Sequence, residues 1–230
     1  MNHRHLVSFC FFVLFAGIVG TLRAEAAEGK DPFARCEPWI RKFEARVQKQ
    51  MPPADGILFL GSSSIVGWDV EKYFPDLPVY NRGFGGSQII DSVHFAERIV
   101  VPYRPKTIVF YAGDNDLAAG KSPDQVAADY RTFVSKVHAA LPKTRIVYIA
   151  VKPSIRRWHL IDKIRAANAL ILAETAKDAR LRFVDIDDPM LGDDGKPRKE
   201  LFKSDGLHLN PSGYELWTSL VRPHLGNLNP

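Results

Sequence analysis

The sequence predicts an α/β fold: a three-layer α/β/α sandwich built on a parallel five-stranded sheet. Two observations carry this. Short apolar runs alternate with longer stretches of helical periodicity along nearly the whole chain. The apolar runs are also continuous rather than alternating with polar residues, as in strands covered on both faces. Such βα alternation needs crossover connections, which are right-handed in parallel sheets. The most economical strand order is 2-1-3-4-5. No repeat, low-complexity tract or linker divides residues 27–230, so a single domain accounts for them.

The first residues form an address rather than a part of the fold. Arg4 and His5 precede an apolar run from Leu6 to Gly20, and Ala24-Glu25-Ala26 offers small residues to a signal peptidase. Cleavage is expected after Ala26, making residues 1–26 a signal peptide. The run is shorter than the roughly 20 residues of a membrane span. Cys10 lies inside the run rather than at its end, which excludes a lipid-modified cysteine. The chain is therefore read as periplasmic or secreted, with no stable membrane anchor once the signal is removed. Cys36 is then the sole remaining cysteine and cannot form an internal disulfide. It is read as a partly buried helix residue, not a nucleophile.

The elements follow in order. Residues 33–50 read as a helix, with Phe33, Trp39, Ile40, Phe43 and Val47 on or near one face. Pro52-Pro53 stops it. Strands are expected over 57–61, 79–81, 107–112, 145–151 and 182–186. Helices are expected over 88–100, 123–140, 158–178 and 211–221. No long insertion is present to build a lid, so a site on this scaffold is expected to be open.

The net charge of +5 is mild, and its charges are interspersed. Arg156-Arg157 beside Trp158 is the one basic knot next to an aromatic. A solvated face is its simplest reading, and no nucleic-acid motif accompanies it, so no nucleic-acid partner is expected. Asp187, Asp188, Asp193 and Asp194 do not match the spacing of a calcium loop, and turn formation is their simplest role.

The chemistry concentrates in four loops. Asp205 sits three residues before His208 in Ser204-Asp205-Gly206-Leu207-His208-Leu209-Asn210-Pro211. Gly206 and Pro211 favour a turn there, which folds the carboxylate onto the imidazole. That contact fixes the tautomer and stabilises imidazolium, as a general base requires. The matching nucleophile lies in Gly61-Ser62-Ser63-Ser64, at the C-terminal tip of the first strand, where open α/β sheets place their sites. The sequence offers Ser62, Ser63 and Ser64, and position relative to Gly61 favours Ser63. Asn81-Arg82-Gly83-Phe84-Gly85-Gly86-Ser87 and Ala112-Gly113-Asp114-Asn115-Asp116 each follow a strand as well. A glycine N–H and an Asn amide from these loops would serve a developing oxyanion. Asn115, Asp114 and Asp116 could alternatively cap the next helix. His94, His138, His159 and His224 fall in helices or the tail, where surface or core roles are expected. Trp68 and Trp158 are candidates either for a pocket wall or for the core.

The four segments, in this order, resemble the four blocks of the SGNH (GDSL-type) hydrolase superfamily. Phe59-Leu60-Gly61-Ser62-Ser63 resembles the first block, Asn81 to Gly86 the second. Gly113-Asp114-Asn115-Asp116 matches Gly-x-Asn-Asp, and Asp205-Gly206-Leu207-His208 matches Asp-x-x-His. The likeness spans residues 55 to 225. It departs from the pattern at Ser62, where the family usually carries Asp, and this leaves the hydrogen bonds that support the loop to be found elsewhere. The resemblance implies the same flavodoxin-like sandwich and a serine esterase with Ser63, His208 and Asp205 as its triad. It implies an oxyanion hole of Ser63, Gly86 and Asn115, with Asn81 holding its loop, and no metal or cofactor. The expected substrate is a short acyl ester, small or attached to a glycan. A lysophospholipase or thioesterase is the second expectation, and a non-catalytic glycan- or lipid-binding module the third.

Overall fold

Five apolar segments pair side by side in the computed structural model, which describes Met1 and residues 31–226. They are β1 (Ile57–Gly61), β2 (Val79–Gly83), β3 (Thr107–Tyr111), β4 (Arg145–Ile149) and β5 (Leu181–Val184). All pairs are parallel, in the order β2-β1-β3-β4-β5. This is the predicted order. Residues 32–226 belong to one compact unit. The signal-peptide expectation for residues 1–26 falls, apart from Met1, outside the described residues.

The helices are α1 (Glu37–Lys49), α2 (Ser63–Val66), α3 (Val70–Tyr73), α4 (Ile89–Ile99), α5 (Asp114–Ala118), α6 (Pro123–Ala140), α7 (Ile161–Thr175) and α8 (Pro211–Val221). Their starts are written in the sequence. Ser122 and Gln125 form a reciprocal capping box at α6, with Pro123 at its first turn. Asn210 accepts from the Gly213 N–H and is followed by Pro211 at α8.

Strand residues alternate between two cores, because successive side chains point to opposite faces. Leu58, Leu60, Ile108, Phe110, Ile146 and Tyr148 face the core lined by α1, α4, α6 and α7. Ile57, Phe59, Val109, Tyr111, Val147 and Ile149 face the one lined by α2, α3 and α8. Both faces are buried, so the strands read as unbroken apolar runs.

Several boundaries differ from the sequence reading. The second strand runs on to Gly83, because its register against β1 continues to the Gly61–Gly83 pair. The fourth strand ends at Ile149 rather than at 151. There the side-chain amide of Asn168 takes over: Oδ1 accepts from the Val151 N–H at 2.8 Å and Nδ2 donates to the Val151 carbonyl at 2.9 Å. The fifth strand spans 181–184 rather than 182–186. The predicted helix over 158–178 is a 3-10 turn, Trp158–Leu160, followed by α7. Cys36 is fully buried at the end of a 3-10 turn, Ala34–Cys36, rather than within α1.

Candidate active site

Gly61 ends β1 in the left-handed region, at φ +137°. That turn lets the Ser62 N–H reach the Tyr111 carbonyl at 3.0 Å on the neighbouring strand. Ser63 then opens α2 at the C-terminal edge of the sheet. One residue beyond β2, the Phe84 N–H donates to the Gly61 carbonyl at 2.8 Å, drawing the second loop to the same edge.

The fourth loop returns from the far end of the chain. The Lys203 N–H donates to the His208 carbonyl, and the Gly206 N–H to that of Lys203. Gly206 turns the chain at φ +64°, a conformation glycine adopts without penalty. The turn brings Asp205 Oδ2 to 2.6 Å from His208 Nδ1. Asp205 Oδ1 accepts from the N–H groups of Leu207 and His208, both at 2.9 Å. The bond to the imidazole, and then those from the two amides, hold the Asp205 carboxyl well below the usual carboxylate range. An ionised Asp205 accepts only, so Nδ1 carries the proton and Nε2 presents its lone pair. His208 Nε2 lies 3.0 Å from Ser63 Oγ. About a third of each side chain is exposed, 34% for His208 and 35% for Asp205, so the arrangement faces solvent.

Of the three candidate serines, Ser63 meets His208. Ser62 and Ser64 are buried. Ser64 Oγ accepts from Lys152 Nζ at 3.2 Å. The loop around Ser62, where an Asp was expected, is held by other bonds. The Ser62 carbonyl accepts from Ile65 and Val66. Asn81 Nδ2 donates to the carbonyls of Ile65 at 2.6 Å and Trp68 at 3.0 Å, and its Oδ1 accepts from the Gly83 N–H.

The predicted oxyanion donors sit on adjoining loops. Gly86 lies at φ +73°, with open space where a Cβ would stand. Among the described residues, neither its N–H nor that of Ser63 has a hydrogen-bond acceptor. Asn115, on α5, donates one Nδ2 hydrogen to the Ser87 carbonyl at 2.9 Å, leaving the second to serve another acceptor. Asp114 and Asp116 do not cap α5: Gly113 stands at the cap without a side-chain bond. Asp116 is instead buried against the Ile89 N–H and Lys121.

Three further sequence readings are corrected or resolved. Arg157 is not a solvated charge: it pairs with Asp114, and its Nη2 donates to Asn115 Oδ1 at 3.0 Å. Trp68 belongs to the core, packed against Phe59, Phe74, Tyr214 and Trp217. Trp158 lies beneath the cations of Arg165 and Lys196. Beneath α5 lies a group the sequence reading missed. Buried Lys152 donates to Tyr111 Oη and Asp114 Oδ2, each at 2.9 Å, besides Ser64. Burial pulls the Lys152 ammonium down to about 7. The available signal was a lone lysine closing an apolar run, just before Pro153. Among the described residues no cluster of His, Cys, Asp and Glu could hold a metal ion.

Residues 59–216 match the model of the GDSL-like lipase/acylhydrolase family. No curated protein matches the chain. Among solved structures it is similar to a GDSL-like lipase from Bacteroides thetaiotaomicron, at 20% identity and TM-score 0.69, covering 81% of this chain and 96% of that one. A lipase/acylhydrolase from Enterococcus faecalis is similar at 21% identity and TM-score 0.60, covering 76% and 98%. A carbohydrate esterase family 3 protein from Talaromyces cellulolyticus is similar at 18% identity and TM-score 0.59, covering 74% and 95%. At these identities the likenesses establish a shared fold.

Proposed function

The chain belongs to the GDSL-like lipase/acylhydrolase family and is an ester-hydrolysing serine hydrolase, and from that premise we propose that it is an exported esterase removing short acyl groups, acetyl foremost, from small or glycan-attached oxygen esters. The observation that carries the mechanism is the imidazole of His208, bonded to Asp205 on one side and Ser63 Oγ on the other. Ser63 Oγ attacks the acyl carbon as His208 Nε2 takes its proton. The oxyanion receives hydrogen bonds from the N–H groups of Ser63 and Gly86 and from the Asn115 amide. Collapse expels the alcohol, which leaves with the proton from His208. A water, deprotonated by the same imidazole, then releases the acid and restores Ser63. Asp205 keeps the imidazole in its working tautomer throughout.

Two features support the short-acyl reading: the exposure of His208 and Asp205, and the carbohydrate esterase among the similar folds. Export rests on the basic, apolar and small-residue pattern of residues 1–26. Each buried methylene is worth about 0.8 kcal/mol, so a deep acyl tunnel would reward longer chains steeply. An acyl-length series of p-nitrophenyl esters tests this. kcat/KM is expected to peak between acetyl and butyryl and to fall by octanoyl. A maximum at ten carbons or more would overturn the short-acyl reading in favour of a lysophospholipase.

A further inference from the structure

Arg157 touches both halves of the site. Its side chain reaches the oxyanion side, and its loop is tied to the acid–base side. The Arg156 N–H donates to the Gly206 carbonyl at 3.0 Å, inside the turn that carries Asp205 and His208. From the same loop, the Arg157 guanidinium forks between neighbours on α5, pairing with Asp114 Oδ1 and donating from Nη2 to Asn115 Oδ1 at 3.0 Å. Asp114 is fixed from below, its Oδ2 accepting from Lys152 Nζ at 2.9 Å and from Tyr111 Oη at 3.2 Å. Lys152 and Tyr111 are fully buried.

We propose that Arg157 is a positioning residue for the ester hydrolysis, setting the amide of Asn115 so that its second Nδ2 hydrogen meets the oxyanion. The inference rests on the reading of Asn115 as an oxyanion donor. Its physical basis is the chemistry of the amide's two ends. A guanidinium only donates and a carbonyl only accepts. Oδ1 against Arg157 and Nδ2 against the Ser87 carbonyl is therefore the only sense of the amide that satisfies both neighbours. A reversed amide would face donor with donor and acceptor with acceptor. The planar fork is needed for this, because it holds two acceptors at fixed spacing, which a lysine ammonium does not.

The test is a double-mutant cycle on the purified protein with p-nitrophenyl acetate. Arg157→Lys keeps the charge beside Asp114 but gives up the fork, and Arg157→Gln removes the charge. Asn115→Ala is expected to lower kcat by about 10²–10³ with little change in KM, as for loss of one oxyanion donor. Arg157→Lys is expected to lower kcat at least about tenfold with KM within about twofold, since the loss lies in the transition state. Arg157→Gln should lose as much or more. In the Asn115→Ala background, Arg157→Lys should cost nothing further, because it acts through the missing amide. Equal losses in both backgrounds, or a wild-type kcat for Arg157→Lys, would overturn the proposal. A wild-type kcat for Asn115→Ala itself would instead overturn the oxyanion reading beneath it. Thermal unfolding of each variant separates a lost fold from a lost donor: a folded Arg157→Lys protein suffices for the cycle.

Discussion

Asp205 receives three hydrogen bonds, from the His208 ring and from the backbone of Leu207 and His208. Together they depress its pKa. A carboxyl depressed in the folded state keeps its charge above the ordinary carboxylate range. It loses that charge, with whatever it contributes, only as pH falls through the depressed value. Between about pH 4 and 8, Asp205 therefore stays ionised and a single protonation governs the acid side of the profile. The logarithm of kcat/KM is expected to fall with a slope of one, and a slope of two would show Asp205 titrating with the base. At this scale Ser63, Asp205 and His208 were legible because glycines and prolines mark their turns. Arg157 and Lys152 were not. Their partners Asp114 and Asn115 lie about 40 residues away in sequence, and a basic side chain beside an aromatic reads locally as solvated. Only the meeting of the loops after β3 and β4 reveals an ion pair.

Among the elements, the junction of β1 and α2 carries the heaviest constraint. A Cβ on Gly61 would overlap the Tyr111 carbonyl, at a φ that side chains rarely adopt. Gly86 shares the unusual φ, but a Cβ there meets nothing within 4 Å. Gly61→Ala should therefore cost about 3 kcal/mol or more in urea unfolding, and Gly86→Ala about 1–2 kcal/mol. Equal losses would contradict this account of the junction. The strands and the long helices were readable from apolar runs and caps. The short helices α2, α3 and α5, each four or five residues long, were not, because so few residues show no 3.6-residue period. The end of β4 was also hidden, since the bond that closes it comes from Asn168 on α7.

Across the whole molecule, the two cores fix the sheet from both faces and leave its C-terminal edge to the loops. β1, β2 and β3 lie side by side, so Ser63, Gly86 and Asn115 all follow adjacent strand ends. The His208 loop comes from after β5, at the far edge of the sheet, and reaches the serine across it. The strand order was predictable because parallel crossovers leave few economical topologies. Acyl preference was not, because it depends on how loops stand around the site. Ser63 is the proposed nucleophile, and a covalent label distinguishes it from Ser62 and Ser64. The purified protein is treated with a fluorophosphonate, digested and mapped by tandem mass spectrometry. One adduct is expected, on Ser63, absent from Ser63→Ala and retained by Ser62→Ala. An adduct on Ser62 or Ser64, or a folded and unlabelled wild-type protein, would contradict it.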